Sequence, residues 1–331
     1  MAHYLLTGVA GFIASRVAEL LLDSGHTITG VDNMNDAYDV RMKEYRLRRL
    51  ENRSGFDFHL FDISDRKSIE ALPGQVNTRL NRPVFDAVIN LAARAGVRQS
   101  LENPWVYVDT NVTGTLNLLE MCRQHAIPKF ILASTSSIYG ANAPLPTPED
   151  ADSNSPLQPY AATKKGAEVL SHSYHHLYGL DVSVVRYFTV YGPAPRPDMV
   201  MFRFTQWISE GRPVLLNGSG EQTRGFTYLD DIARGTILSL KPVGYEIINL
   251  GGHESIRINE LISMLEELIG KKAQVQHLPF HPADMLANRA NVEKAQRLLG
   301  WEPQVSLNEG VAKLVDWYMA ERLWTSQIDT R

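Results

Sequence analysis

Two side chains four residues apart, Tyr160 and Lys164, carry the clearest chemistry in the sequence. On a helix that spacing puts both on one face. A phenol titrates at about pH 10 and is a poor base near neutrality. A neighbouring ammonium and the cationic ring of an oxidised nicotinamide both favour its phenolate. Such a pair can take the proton from an alcohol while hydride leaves the same carbon. The run Tyr160-Ala161-Ala162-Thr163-Lys164 recurs by chance in many proteins, so its weight comes from what else the chain offers.

A hydroxyl cluster lies upstream at Ser134-Thr135-Ser136-Ser137, at the end of an apolar run. Hydroxyls at the carboxyl end of a strand face the crevice where open α/β sheets bind ligands. Thr135 or its neighbours are candidates to hydrogen-bond the reacting hydroxyl. The alternative is that they satisfy backbone groups near the strand end.

The first strand runs into Thr7-Gly8-Val9-Ala10-Gly11-Phe12-Ile13-Ala14, which opens a helix. Gly8 permits the tight turn, and Gly11 lets the backbone approach a pyrophosphate at the free N–H groups of the helix start. Ala14 takes the place of a third glycine and still allows close helix–strand packing. Asp32, followed by Asn33, ends the second strand. A carboxylate there accepts from a ribose diol and repels a 2′-phosphate, favouring NAD over NADP. Asp62-Ile63 ends the third strand and offers a carboxylate and an apolar side chain for an adenine edge, or is an ordinary solvated turn. No residue set is assigned to a metal.

Arg196 sits between Pro195 and Pro197 on a loop over 188–199 that opens with Thr189. Three prolines limit that loop's freedom. A guanidinium fork matches a carboxylate with two parallel hydrogen bonds. The competing reading pairs Arg196 with Asp198 on the surface.

The elements that must hold these groups follow from the apolar pattern. Strands are expected at about 3–8, 26–31, 56–61, 85–91, 129–135 and 181–187. Helices are expected between them at about 12–24, 38–52, 65–73, 104–125 and 160–178, the fourth starting at Pro104 behind Asn103 as cap. This alternation predicts an α/β fold, a Rossmann-type doubly wound parallel sheet. Beyond 187 the pattern breaks into further helices at about 199–210, 230–240, 257–269, 291–299 and 307–322, with a turn at Gly218-Ser219-Gly220. A smaller mixed α/β substrate lobe is expected there. The division is 1–186 for the dinucleotide domain, with part of 226–253 returning to it, and 187–225 with 254–325 for the substrate lobe.

The 331 residues and 44% hydrophobic content suit a large core in two lobes. A net charge of −4 gives no basic field for nucleic acid, so phosphates must be held by local groups. The single cysteine, Cys122, lies in an apolar helical pattern and excludes a disulfide framework. No targeting segment or membrane span is read, and a soluble cytoplasmic protein is expected.

Together these residues resemble the extended short-chain dehydrogenase/reductase superfamily, in its NAD-dependent epimerase/dehydratase branch. The resemblance spans nearly the whole chain. It includes Leu91-Ala92-Ala93, Asn111 with Gly114-Thr115, Tyr160 and Lys164, Tyr191-Gly192-Pro193, the stretch from Arg224 to Asp231, and Leu299-Gly300-Trp301-Glu302-Pro303. Two stretches, Asn35 to Lys43 and Phe188 to Met199, are similar to the members that epimerise UDP-glucuronate at carbon four. The resemblance implies a tightly held, recycled NAD contacting Leu91, Ala92, Ala93 and Lys164, a UDP-sugar substrate, and a homodimer through the helices at 104–125 and 160–178. It implies Tyr160 as base, Lys164 as its partner and Thr135 as hydroxyl helper. Ser136 and Ser137 would contact the sugar, Thr189 and Arg196 its carboxylate, Arg224 the diphosphate and Asp284 the uridine ribose.

Four residues depart from the family pattern: Ala14 for glycine, Arg94 where glutamine is common, Gly225 for aspartate, and Arg289 where a small or aromatic residue is usual. They bear on the exact sugar. Dehydratases of the superfamily carry an Asp-Glu pair where this chain has Ser136-Ser137, and UDP-glucuronate decarboxylases carry a glutamate at Ser137. Hydroxyls cannot do that acid–base work. The expected reaction is therefore epimerisation of UDP-glucuronate to UDP-galacturonate, with UDP-glucose or an N-acetylated UDP-hexosamine as the alternative substrate. A non-enzymatic NAD-sensing module on the same fold is the rival of another class.

Overall fold

The computed structural model describes residues 1–76, 83–279 and 287–330. The first half alternates as expected: β1 (His3–Thr7), α1 (Phe12–Asp23), β2 (Thr27–Asp32), α2 (Arg41–Glu51), β3 (Phe56–Leu60), α3 (Arg66–Ala71) and β4 (Ala87–Asn90). Next come the short helices α4 (Gln99–Glu102) and α5 (Trp105–Tyr107), a π-helical segment Val108–Thr113, and α6 (Gly114–Gln124). Then follow β5 (Lys129–Thr135), α7 (Pro159–Tyr178) and β6 (Asp181–Tyr187). All seven residues of β5 are buried, the pattern of a strand covered on both faces. Pro159 starts α7 where a missing N–H is no loss, and Gly179 ends it in the left-handed conformation.

The helix expected over 104–125 is not continuous. Asn103 closes α4 instead of capping the next helix, and Pro104 holds the capping position of α5 without a side-chain bond. The wide π turn then swings Asn111 inward. Its side chain accepts from Arg94 N (2.9 Å) and donates to Arg94 O and Thr163 Oγ1, both at 3.0 Å. A buried amide with three partners offsets the looser helix geometry.

The second half contributes β7 (Thr189–Tyr191), α8 (Val200–Ser209), β8 (Val214–Asn217), β9 (Thr223–Tyr228), α9 (Leu229–Leu238) and β10 (Tyr245–Leu250). It continues with β11 (Glu254–Arg257), α10 (Ile258–Ile269), β12 (Val275–Leu278), α11 (Glu293–Leu299), α12 (Leu307–Ala320) and α13 (Arg322–Thr325). The seven-stranded sheet runs β10-β6-β5-β4-β1-β2-β3, parallel throughout. Its order reverses between β1 and β4. There the strands' carboxyl ends part, leaving the crevice in which such sheets bind ligands. Thr7 Oγ1 donates to Asn90 Oδ1 at 2.8 Å and accepts from Ala92 N, fixing the two lips of that crevice.

Two small sheets, β11-β9-β7 and β12-β8, build the second lobe. Its core joins Phe202, Phe226, Leu261 and Tyr318, and also takes in Met42 of α2. The second helix of the chain therefore packs into the far lobe. No helix among the described residues is long and apolar enough to cross a membrane.

Candidate active site

Gly8 and Gly11 lie where the backbone leaves no room for a side chain. Gly8 has φ +70, and a Cβ there would stand 2.8 Å from the Ala92 backbone. One on Gly11 would stand 2.7 Å from Gly8 O. Gly11 caps α1 with no side-chain bond, so the first N–H groups of that helix are left for a ligand. Asp32 is buried beside this turn; it accepts from Ala10 N (3.2 Å) and Met34 N (2.8 Å) and lies 3.6 Å from Lys43 Nζ. Cradle, helix start and fixed carboxylate fit a dinucleotide's pyrophosphate and ribose. Asn33 donates to Asp62 across the ends of β2 and β3 (2.5 Å). Ile63 packs under Gly114, where any Cβ would strike it at 2.6 Å.

These groups line one cavity of about 920 Å³, together with Phe12, Ile13, Asn33, Asp62, Ile63, Leu91, Ala92 and Ala93. The same cavity is lined by Thr135, Ser136, Ser137, Tyr160, Lys164, Thr189, Arg196 and Arg224. The structure thus brings together every described residue singled out in the sequence for chemistry. Asp284 lies outside the described residues.

Tyr160 and Lys164 stand one turn apart at the start of α7. Burial pushes the Tyr160 phenol up, opposed by a hydrogen bond with the Thr135 hydroxyl and by the positive charge of Arg196. A positive charge on the phenol thus comes from Arg196, on a distant loop. Lys164 is only 2% exposed, and burial lowers its ammonium to about 8 against the pull of Glu168. The edge of Tyr107 meets the Tyr160 ring at 6.2 Å. Thr135 also caps the short turn after β5, accepting from Ser137 N (3.2 Å), so one hydroxyl serves both backbone and site. Ser136 accepts from Asn288 Nδ2 at 3.2 Å.

Arg196 does pair with Asp198, at 3.1 and 2.5 Å, but within the cavity wall rather than on an open surface. Its side chain is 24% exposed and retains a face toward the cavity. Thr189 opens β7, which pairs with β9 through Phe226. Arg224 lies on β9 opposite Ile256, its Nη1 on Thr223 O (2.8 Å).

The departures have physical reasons in part. Ala14 is buried in the core against the sheet. A side chain at Gly225 would meet Gly252 O at 2.7 Å and Asn288 O at 2.9 Å, so the aspartate usual there cannot fit. Arg94 reaches Asn35 on the cavity wall (3.4 Å). The Arg289 carbonyl accepts from Thr147 N; nothing among the described residues explains its side chain. Lys43, Arg46, Arg203 and Asn288 went unnoticed in the sequence. For Arg46 a signal existed: it falls between Met42 and Leu50 on the apolar face of α2.

The wall combines a dinucleotide turn with a buried phenol–ammonium pair and, among the described residues, offers no nucleophile–histidine couple. That is equipment for moving hydride and proton at an alcohol, which defines an enzyme of the short-chain dehydrogenase/reductase class. The profile described as GDP-mannose 4,6 dehydratase matches residues 5–314. A UDP-glucuronate 4-epimerase of Thermodesulfobacterium geofontis is 57% identical over 318 residues, 96% of each chain. A structure of UDP-glucuronic acid 4-epimerase from Bacillus cereus, in complex with UDP-glucuronic acid and NAD, superposes with a TM-score of 0.88 at 36% identity, covering 97% of this chain and 100% of that one. A UDP-glucose 4-epimerase from Thermotoga maritima with UDP-glucose superposes at 0.87 with 31% identity, covering 97% and 99%. The chain belongs to the NAD-dependent epimerase/dehydratase family.

Proposed function

We propose that this protein epimerises UDP-glucuronate at carbon four, giving UDP-galacturonate, with a tightly held NAD that is reused. The observation that carries this reading is the placement of Arg196 and Thr189 in the same wall as Tyr160 and Thr135. The relatives named for this reaction support it. Turn Gly8 to Ile13 would hold the pyrophosphate, Asp32 and Asn33 the adenosine ribose, and Asp62 and Ile63 the adenine edge. Leu91, Ala92, Ala93 and Lys164 would lie along the rest of the dinucleotide. NAD, when bound, supplies the acceptor and later the donor of a hydride at the sugar carbon. Tyr160 takes the proton from the carbon-four hydroxyl and returns it after the sugar has turned. Thr135 shares that hydrogen bond, Lys164 and Arg196 favour the phenolate, and Arg224 faces the diphosphate. Arg196 and Thr189 keep the uronic carboxylate in place, which guards the 4-keto sugar against loss of carbon dioxide.

The dehydratase and decarboxylase readings lack their acid: Ser136 and Ser137 bond to Asn288 and Thr135. Residues 1–186 with part of 226–253 form the dinucleotide domain and 187–225 with 254–325 the sugar-nucleotide lobe. The protein acts in the cytoplasm as a homodimer; exposed Trp105 and Val169 supply apolar surface on the two helical segments concerned.

A panel of UDP-sugars incubated with purified protein, with products identified by NMR, tests the assignment. UDP-glucuronate is the preferred substrate, and Arg196→Lys lowers its kcat/KM by roughly 10- to 1000-fold, the range for losing a charge-assisted pair. Equal turnover of UDP-glucuronate by parent and Arg196→Lys would remove the physical basis for the uronic assignment.

A further inference from the structure

Arg46 is among the largest fully buried side chains, 2% exposed, in the middle of α2. No carboxylate among the described residues forms an ion pair with it. Burying a lone guanidinium is costly unless hydrogen bonds offset the lost water. Here four oxygens do so, and they come from three separate places. Nε donates to Ala194 O and Nη2 to Pro195 O, both at 2.9 Å. Nη1 donates to Ala10 O (3.2 Å) and to the Tyr38 hydroxyl (2.9 Å). The group lies over the rings of Phe12 and Tyr38 at 5.9 and 5.6 Å.

One end of this grip is thus the dinucleotide turn, and the other is the pair of carbonyls immediately before Arg196. Ala194 adopts φ +54, a conformation that a residue with a Cβ rarely holds without support. A fork that takes two successive carbonyls supplies that support, and a point charge cannot. The direction in which Arg196 leaves the loop therefore depends on a side chain 150 residues earlier.

We infer that Arg46 is a positioning residue: it clamps the loop carrying Arg196 to the dinucleotide turn, and so sets the preference for an acidic sugar. The inference rests on the proposed role of Arg196 as the carboxylate's partner. Arg46 itself touches neither carboxylate nor reacting atoms; it acts through Arg196.

The test is calorimetric binding of UDP-glucuronate and UDP-glucose to NAD-loaded protein in a Tyr160→Phe background, where neither sugar is turned over. Arg46→Met, Arg46→Lys, Arg196→Met and the double variant Arg46→Met/Arg196→Met are compared. Both Arg46 variants narrow the affinity ratio between the two sugars by about tenfold or more, as for losing a charge-assisted bond. UDP-glucose binding stays within about twofold, the scatter of independent sites. In the double variant Arg46→Met adds nothing to Arg196→Met. Arg46→Lys restores charge and length but not the double grip, so it fails to restore the ratio; it also keeps the test open should Arg46→Met not fold. Equal weakening for both sugars, full rescue by lysine, or additive losses would overturn the inference. An unchanged ratio in Arg196→Met alone overturns the carboxylate reading and the inference with it, and that failure is visible in the single variant.

Discussion

Lys164 shows what the site costs at the level of one residue. Its ammonium is buried, and burial lowers it to about 8 from 10.5. Between those two values the unfolded chain holds more protons than the folded one, so this group's contribution to stability rises with pH across that window. Below about 8 the buried charge opposes folding in full. Lys164→Met keeps the apolar stem and removes the charge. In NAD-free protein it is expected to raise the free energy of urea unfolding at pH 7 by roughly 3 kcal/mol, and by much less at pH 10. A gain of equal size at both pH values, or none, would contradict the burial argument. Stability is thus given up at the residue expected to serve catalysis. The Tyr160–Lys164 pair was legible because helical spacing is local. The charge of Arg196 beside that phenol was not, because nothing in the 35 intervening residues of sequence says where the loop after β6 will fold back.

At the scale of elements, α7 is held to the sheet by a polar seam. Glu168, one turn beyond Lys164, pairs with Arg186 of β6 at 2.8 and 3.0 Å, both side chains almost wholly buried. Ser134 donates to the same carboxylate at 2.6 Å. Arg186 continues to the Tyr139 hydroxyl (2.9 Å), which donates to Asn249 of β10 (2.7 Å). Four elements thus meet beneath the catalytic helix. Glu168→Ala leaves a buried guanidinium unpaired and is expected to lower unfolding stability by about 3–5 kcal/mol, while the double change Glu168→Ala/Arg186→Leu costs less than the single one. Additive losses would mean that the two groups do not act as a pair. Sequence reading found the long helices and the buried strands of the large sheet, whose patterns repeat over many residues. It missed β10, the seventh strand of the large sheet, and also β7 to β9, β11 and β12, which are three to six residues long and gain their identity only by pairing across the second lobe. It also joined 104–125 into one helix, since a π turn keeps nearly the same apolar spacing while it redirects Asn111.

At the scale of the molecule, the net charge of −4 conceals a cavity whose wall carries Arg94, Arg98, Arg196, Arg203 and Arg224. Total charge set the expectation that phosphates are held locally, but only the fold collects those arginines from four separate segments into one wall. The same cavity places a dinucleotide cradle and a phenol in reach of one sugar, so that the carbon-four hydrogen leaves and returns within one site. The most direct measurement uses UDP-glucuronate carrying deuterium at carbon four, turned over in ordinary water and followed by NMR and mass spectrometry. UDP-galacturonate is expected to keep the deuterium at carbon four, at the level of the starting material, through many turnovers. Loss of the label to solvent, or inversion at another carbon with carbon four untouched, would contradict it.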